Sequence, residues 1–131
     1  MRKIILDTNV FISGILFGGN PKKLIQAWLD NKFTLCLSPQ LKAEILNKLK
    51  NKFLLSKESL AIIENALDAK SQKFVPKTKL NICSDPEDNF LLELAEESKV
   101  DFIVSGDKKV LVLKKYKNTK IISVKSFLDL W

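Results

Sequence analysis

Apolar residues recur along this chain in two rhythms that alternate from one end to the other. Short unbroken runs occur at Ile4-Ile5-Leu6, Phe33 to Leu37, Phe102 to Ser105 and Ile121 to Val124. Runs of this length suit strands buried on both faces. Between them the spacing becomes helical. Pro21 opens a helix through Asp30 with Leu24, Ala27 and Trp28 on one face. Ser38-Pro39 pairs an N-cap with a first-turn proline, and Leu41, Ile45 and Leu49 follow at i, i+4 and i+8. Ser56 caps a helix over Lys57–Lys70 with Leu60, Ile63 and Leu67 inward, and Asp85-Pro86 starts one that runs to Ser98 with Leu91, Leu92 and Ala95 buried. The weaker signals predict a helical turn over Val10–Phe17 before the Gly18-Gly19-Asn20 loop, and a short strand at Phe74-Val75. A connecting segment over Pro76–Ser84, a short helix over Lys108–Leu113 and a terminal helix or tail over Lys125–Trp131 complete the chain.

Strands separated by helices call for right-handed crossovers. The expectation is a three-layer α/β/α, Rossmann-like fold with a parallel sheet of four to five strands, in a single domain over residues 1–131. In such a fold an acidic residue just past a buried strand stands at the carboxyl edge of the sheet, where ligands bind. Asp7 follows the first strand directly, with Thr8 and Asn9 after it, and Asp107 follows Phe102-Ile103-Val104 by a Ser105-Gly106 step. Glu44 borders the stripe of its helix, its head free to reach the sheet edge.

Each of these positions also has a structural reading. Asp7 can bond the amides of the next loop, and Asp107 can be a turn residue after Gly106. Asp88 falls at the third helical position behind an Asp85 cap, where an acid favours the helix dipole and can close a capping box. Glutamates on helices are usually solvated, and Glu93, Glu96 and Glu97 are read that way.

Composition narrows the chemistry. The chain has no histidine, which excludes a Ser-His-Asp triad, a histidine general base and imidazole-bound zinc. Hydrolysis would then rest on carboxylates and metal-activated water, or on lysine. The 22 basic against 15 acidic residues leave a net charge of +7, and a basic surface around an acidic pocket suits a polyanion such as nucleic acid. Cys36 and Cys83 fit no metal-ligand spacing and read as free thiols in a reducing cytoplasm. Arg2-Lys3 before an apolar run imitates a signal peptide, but Asp7 and Asn9 interrupt it. No segment approaches the roughly 20 apolar residues of a membrane span, so a cytoplasmic location is expected.

Converging carboxylates repel. Two of them about 5 Å apart do so by roughly 3 kcal/mol at an effective dielectric near 20, and an oxygen-only set of this kind selects a hard cation. Ile5-Leu6-Asp7-Thr8-Asn9-Val10, the mid-chain Glu44, Asp85-Pro86-Glu87-Asp88-Asn89 and Val104-Ser105-Gly106-Asp107 together resemble the signature of the PIN-domain ribonucleases, in order and spacing along the chain. They are most similar to the small single-domain toxins of toxin–antitoxin pairs. The resemblance implies an acidic quartet of Asp7, Glu44, Asp88 and Asp107 binding Mg²⁺ or Mn²⁺. Thr8, Asn9 and Ser105 would orient ligands or water behind it, with Asp85 at the rim. It also implies an endoribonuclease that leaves a 5′-phosphate and a 3′-hydroxyl, a cognate antitoxin, and a homodimer.

Two rival readings accompany this one. A catalytically silent domain of the same fold would bind RNA or a protein without cutting. A phosphotransfer domain would need an acceptor aspartate and a late lysine, which Asp107-Lys108 resembles only loosely. Lys22, Lys23, Lys48 and Lys108 are the lysines expected to hold flanking RNA. Phe53, Leu54 and Leu55 are either an exposed dimer surface or part of the core.

Overall fold

Every main-chain group of a buried strand needs a partner, and in this chain the most apolar run takes the most enclosed place. In the computed structural model, which describes residues 1–130, strand β1 (Lys3–Leu6) lies inside a six-stranded sheet. On one side it pairs in parallel with β2 (Thr34–Leu37), which pairs in parallel with an edge strand β3 (Ser71–Lys73). On the other side it pairs in parallel with β4 (Phe102–Val104). Next comes β6 (Thr119–Ile122), parallel to β4, and a two-residue antiparallel strand β5 (Lys115–Tyr116) ends the sheet. The order is therefore β3-β2-β1-β4-β6-β5. The chain winds outward from β1 in both directions, so β1 and β4 flank the topological switch point.

Helices cover both faces of the sheet. They are α1 (Thr8–Leu16), α2 (Gly19–Leu29), α3 (Pro39–Asn51), α4 (Lys57–Lys70), α5 (Asn89–Ser98), α6 (Lys108–Leu111) and α7 (Val124–Leu128). Ile4, Ile5 and Leu6 are buried among the inward stripes of α3 and α5 and the ring of Trp28. Trp28 meets Phe11 edge-on and donates its indole N–H to the Lys70 carbonyl at 2.9 Å, so its one polar atom is satisfied. None of the helices among the described residues is long and apolar enough to cross a membrane.

The structure alters several sequence expectations. The sheet has six strands because two polar edge segments join it. The third strand is Ser71–Lys73 and not Phe74-Val75, since an edge strand needs ladder bonds and not an apolar face. The last parallel strand ends at Ile122, because Ser123 turns the chain by accepting the Ser126 N–H as cap of α7. Of the expected tail, Trp131 lies outside the described residues. Helix α2 starts at Gly19, two residues before Pro21, on a turn that Gly18 and Gly19 make at φ +84° and +69°. The helix expected from Asp85 is broken into a 3-10 turn, Pro86–Asp88, followed by α5.

At Gly14, α1 packs tightly against α2. A Cβ there would stand 2.3 Å from Ile25 Cγ1 and 2.6 Å from the Pro21 carbonyl oxygen. A side chain can yield, but a main-chain oxygen can do so only if the helices part. Gly14→Ala should therefore destabilise the fold by about 1–3 kcal/mol, although alanine favours a helix by up to about 1 kcal/mol. In urea unfolding the midpoint should fall at constant slope. An unchanged or raised midpoint would contradict the close approach.

Candidate active site

Asp7 follows β1 and precedes the first turn of α1, while Asp107 follows β4 and precedes α6. The backbone ties the two strand ends together where Asp7 N–H donates to the Val104 carbonyl at 2.9 Å. Ser105, fully buried between them, completes the link. Its hydroxyl donates to Asp7 Oδ2 at 2.7 Å and accepts the Asp107 N–H at 3.0 Å. One side chain thus orients the first carboxylate and places the second. Asp107 in turn caps α6 by accepting the Lys109 N–H at 2.9 Å.

The other two acids come from helical segments. Glu44 projects from α3, and Asp88 closes the 3-10 turn. Buried Asn89 holds that turn in place. Its Oδ1 accepts the Ile82 and Cys83 N–H groups at 2.9 and 2.8 Å, and its Nδ2 donates to the Pro86 carbonyl at 3.2 Å. Asp7, Glu44, Asp88 and Asp107 line a single cavity of about 730 Å³, with Asp85 and Glu87 at the same wall.

The four acids lie close enough for their charges to act on one another. Burial, and then the negative charges of Asp107, Asp7, Asp85 and Glu44, push the Asp88 carboxyl up to about 6. Burial also raises Asp7; the Ser105 hydroxyl opposes this and Asp107 adds to it. Burial raises Glu44 as well, with Lys48 opposing and Asp7 adding. Lys48 and Lys52 both line the cavity, and the one paired with an acid is Lys48. Its Nζ lies 3.8 Å from Glu44 and donates to Asn9 Oδ1 at 3.2 Å.

Asp88 does not close the capping box that its position invited. Its side chain makes no capping hydrogen bond to α5, and its Oδ2 is buried without a partner. Asp88 ends the 3-10 turn and stands immediately before α5, with its side chain unused as a cap. Asp85 does cap, accepting the Glu87 N–H at 3.1 Å, and it lines the cavity too. Thr8 is buried; its hydroxyl draws Glu44 down slightly but makes no well-formed hydrogen bond. Lys22, Lys23 and Lys108 are not among the lining residues.

The expectation that Glu93, Glu96 and Glu97 are solvated is corrected. Glu93 is buried and accepts the Leu80 N–H at 2.9 Å, Glu96 is half-buried between Lys99 and Lys117, and Glu97 accepts the Lys77 N–H at 3.3 Å. They hold the long connection and the β5–β6 hairpin against α5. Asn89, Asn47, Asn51 and Lys52 were missed as contributors to the site. The α3 residues recur at i+4 along its polar side, a spacing that could have singled them out.

The sequence matches the PIN domain family over residues 3–109. The chain belongs to that family. It is 32% identical over 117 residues to the uncharacterized protein MJ1680 of Methanocaldococcus jannaschii, across 86% of this chain and 75% of that protein. Its fold is similar to that of the PIN domain endonuclease Utp24, with a TM-score of 0.50 and 22% identity over 92% of this chain and 84% of that one. PIN domains are generally nucleases, and they generally use divalent metals. The donor chemistry of this PIN domain suits such an ion. The donors are all oxygen, one buried carboxylate oxygen lacks a partner, and the neighbouring carboxylates raise Asp88 despite the presence of Lys48. The carboxylates are not drawn into a compact cage, since among the described residues no group of three or more stands arranged to hold an ion.

The raised Asp88 makes stability depend on pH. Between the ordinary value of 3.8 and about 6, the folded chain keeps a proton that the unfolded chain has released. Its contribution is thus present at low pH and lost as pH rises through the upper value. Without metal, Asp88→Asn should be more stable than wild type at pH 7 and lose that advantage toward pH 4. The gap should be under about 1 kcal/mol, because solvent screens the exposed part of the side chain. Urea unfolding at the two pH values measures it, and a gap of the same size at both would rule out the repulsion.

Proposed function

We propose that this PIN domain is a Mg²⁺- or Mn²⁺-dependent endoribonuclease that hydrolyses RNA phosphodiester bonds and leaves a 5′-phosphate and a 3′-hydroxyl. The observation that carries this reading is the cavity shared by Asp7, Glu44, Asp88 and Asp107, with Asp88 Oδ2 buried and unpartnered. These four carboxylates would hold the ion, directly or through water. Bound there, the ion supplies a water of lowered pKa and positive charge against the scissile phosphate.

The chain's own residues prepare the site. Ser105 holds Asp7 in one orientation, so that carboxylate need not be ordered when substrate arrives. Asn89 does the same for the turn that carries Asp88. Lys48 Nζ, between Glu44 and Asn9, offsets part of the negative charge that an entering phosphate meets. The net charge of +7 attracts the polyanion from a distance. The same proposal includes control by a cognate antitoxin that places a basic side chain among the carboxylates, and action in the cytoplasm as a homodimer.

The test is cleavage of total cellular RNA with and without Mn²⁺, with the cut ends mapped. Asp7→Asn keeps an oxygen able to accept from Ser105, so it should fold normally and lose at least about a hundredfold in cleavage rate. Undiminished cleavage by that variant would place the activity elsewhere. Absence of Mn²⁺ binding at micromolar to millimolar levels in calorimetric titration, together with no cleavage, would favour a silent RNA-binding or protein-interaction domain.

A further inference from the structure

Helices α1 and α3 leave the carboxylates side by side and meet again at their far ends. Near the acids, Lys48 of α3 bonds Asn9 of α1. At the other end Phe17, the residue closing α1, stands edge-on to Phe53, two residues past α3, with ring centroids 5.7 Å apart and planes at 64°. At 1.5 Å per residue, Phe17 lies about 15 Å along α1 from Asp7, and Lys52 about 12 Å along α3 from Glu44.

The aromatic end is unusual for a surface. Phe17 is 68% exposed and Leu54 is 79% exposed, the latter at φ +56°, where a bulky side chain is rarely placed. Phe53 is half-buried against the core and supports Phe17 from below. The Lys52 ammonium lies 5.6 Å from the Phe53 ring centre. Lys52 also lines the carboxylate cavity, as do Asn51 and Lys48, so cavity and aromatic pair are continuous along α3. Lone exposed phenylalanines are ordinary. This one is held by a second ring, beside an ammonium, at the end of a polar track from an acidic pocket.

A purely apolar partner would leave Lys52 and the amides of α3 to be desolvated without a match. A nucleic acid strand supplies both halves of the complement, phosphates for the lysines and base faces for the ring. We propose that Phe17, supported on Phe53, is a stacking platform for an unpaired base of an RNA strand whose scissile phosphate lies at the carboxylates, with Lys52 binding a phosphate between the two. The strand must be unpaired there, because a base inside a duplex has no face to offer. This assignment rests on the ribonuclease reading above and adds to it where the substrate runs and in what form.

The test uses the whole chain and a fluorescein-labelled oligouridine, with anisotropy read in EDTA. Phe17→Ser should weaken binding about tenfold at every salt concentration, with the salt slope unchanged. Phe17→Tyr, which keeps the ring, should bind like wild type. Lys52→Ala should lower the slope of log K against log salt by about 0.7. An RNA duplex of the same length should compete poorly. Unchanged affinity in Phe17→Ser, or equal competition by duplex, would overturn the assignment. So would a loss of affinity that follows conversion of a dimer to a monomer in light scattering, which would put a second copy on this face. Because no divalent ion is present, failure to cleave RNA in a separate Mn²⁺ assay would sink the ribonuclease reading and leave these outcomes legible.

Discussion

The buried hydroxyl of Ser105 joins the two halves of the site. It donates to Asp7 and accepts from the Asp107 main chain, across the seam where β1 pairs with β4. These residues are separated by about a hundred positions, and only the parallel pairing of their strands brings them within one hydrogen bond of each other. The register of that pairing is therefore a constraint on the chemistry. Parallel Leu6↔Val104 pairing puts both acids just outside the same edge. A slip of one residue would turn one of them to the other face of the sheet.

Around that seam the fold tolerates repulsion that it would avoid elsewhere. Four carboxylates share a cavity, one of them with a buried oxygen left without a partner, and of the two lysines lining it Lys48 pairs with Glu44. The rest of the chain supports the arrangement. Asn89 pins the turn that carries Asp88, the stripe Leu41, Ile45 and Leu49 anchors the helix that carries Glu44, and the glycine at position 14 lets α2 sit close behind α1. The same α1 and α3 continue past the acids to the Phe17–Phe53 pair, so the elements that hold the carboxylates also shape the surface leading to them.

Much of this was legible in the chain. The four apolar strand runs, the serine and proline starts of α3 and the serine cap of α4 were readable because each is a local signal, carried by residues within one or two turns of one another. The polar edge strands were not. Ser71–Lys73 has no apolar alternation, and its strand conformation depends on a neighbour that the local sequence does not mention. Asp88 is the most instructive case. Its spacing behind Asp85 describes a helix cap, whereas the structure breaks the helix there and leaves the carboxylate turned into the cavity with its Oδ2 unpaired. Local rules favour the cap, whereas the turn is held instead by Asn89, which accepts from Ile82 and Cys83 and donates to Pro86.

What the sequence determined by itself was the α/β alternation, the absence of histidine chemistry and the acids standing after β1 and β4. Those follow from short-range periodicity and from which side chains exist at all. Only the tertiary structure decided that Glu44 and Asp88 face the same cavity as Asp7 and Asp107, that Lys48 and Lys52 line it with them, and that Glu93 is buried. The reason is physical. A helix presents different faces depending on how it packs, and which face turns inward is set by contacts between segments far apart in the chain.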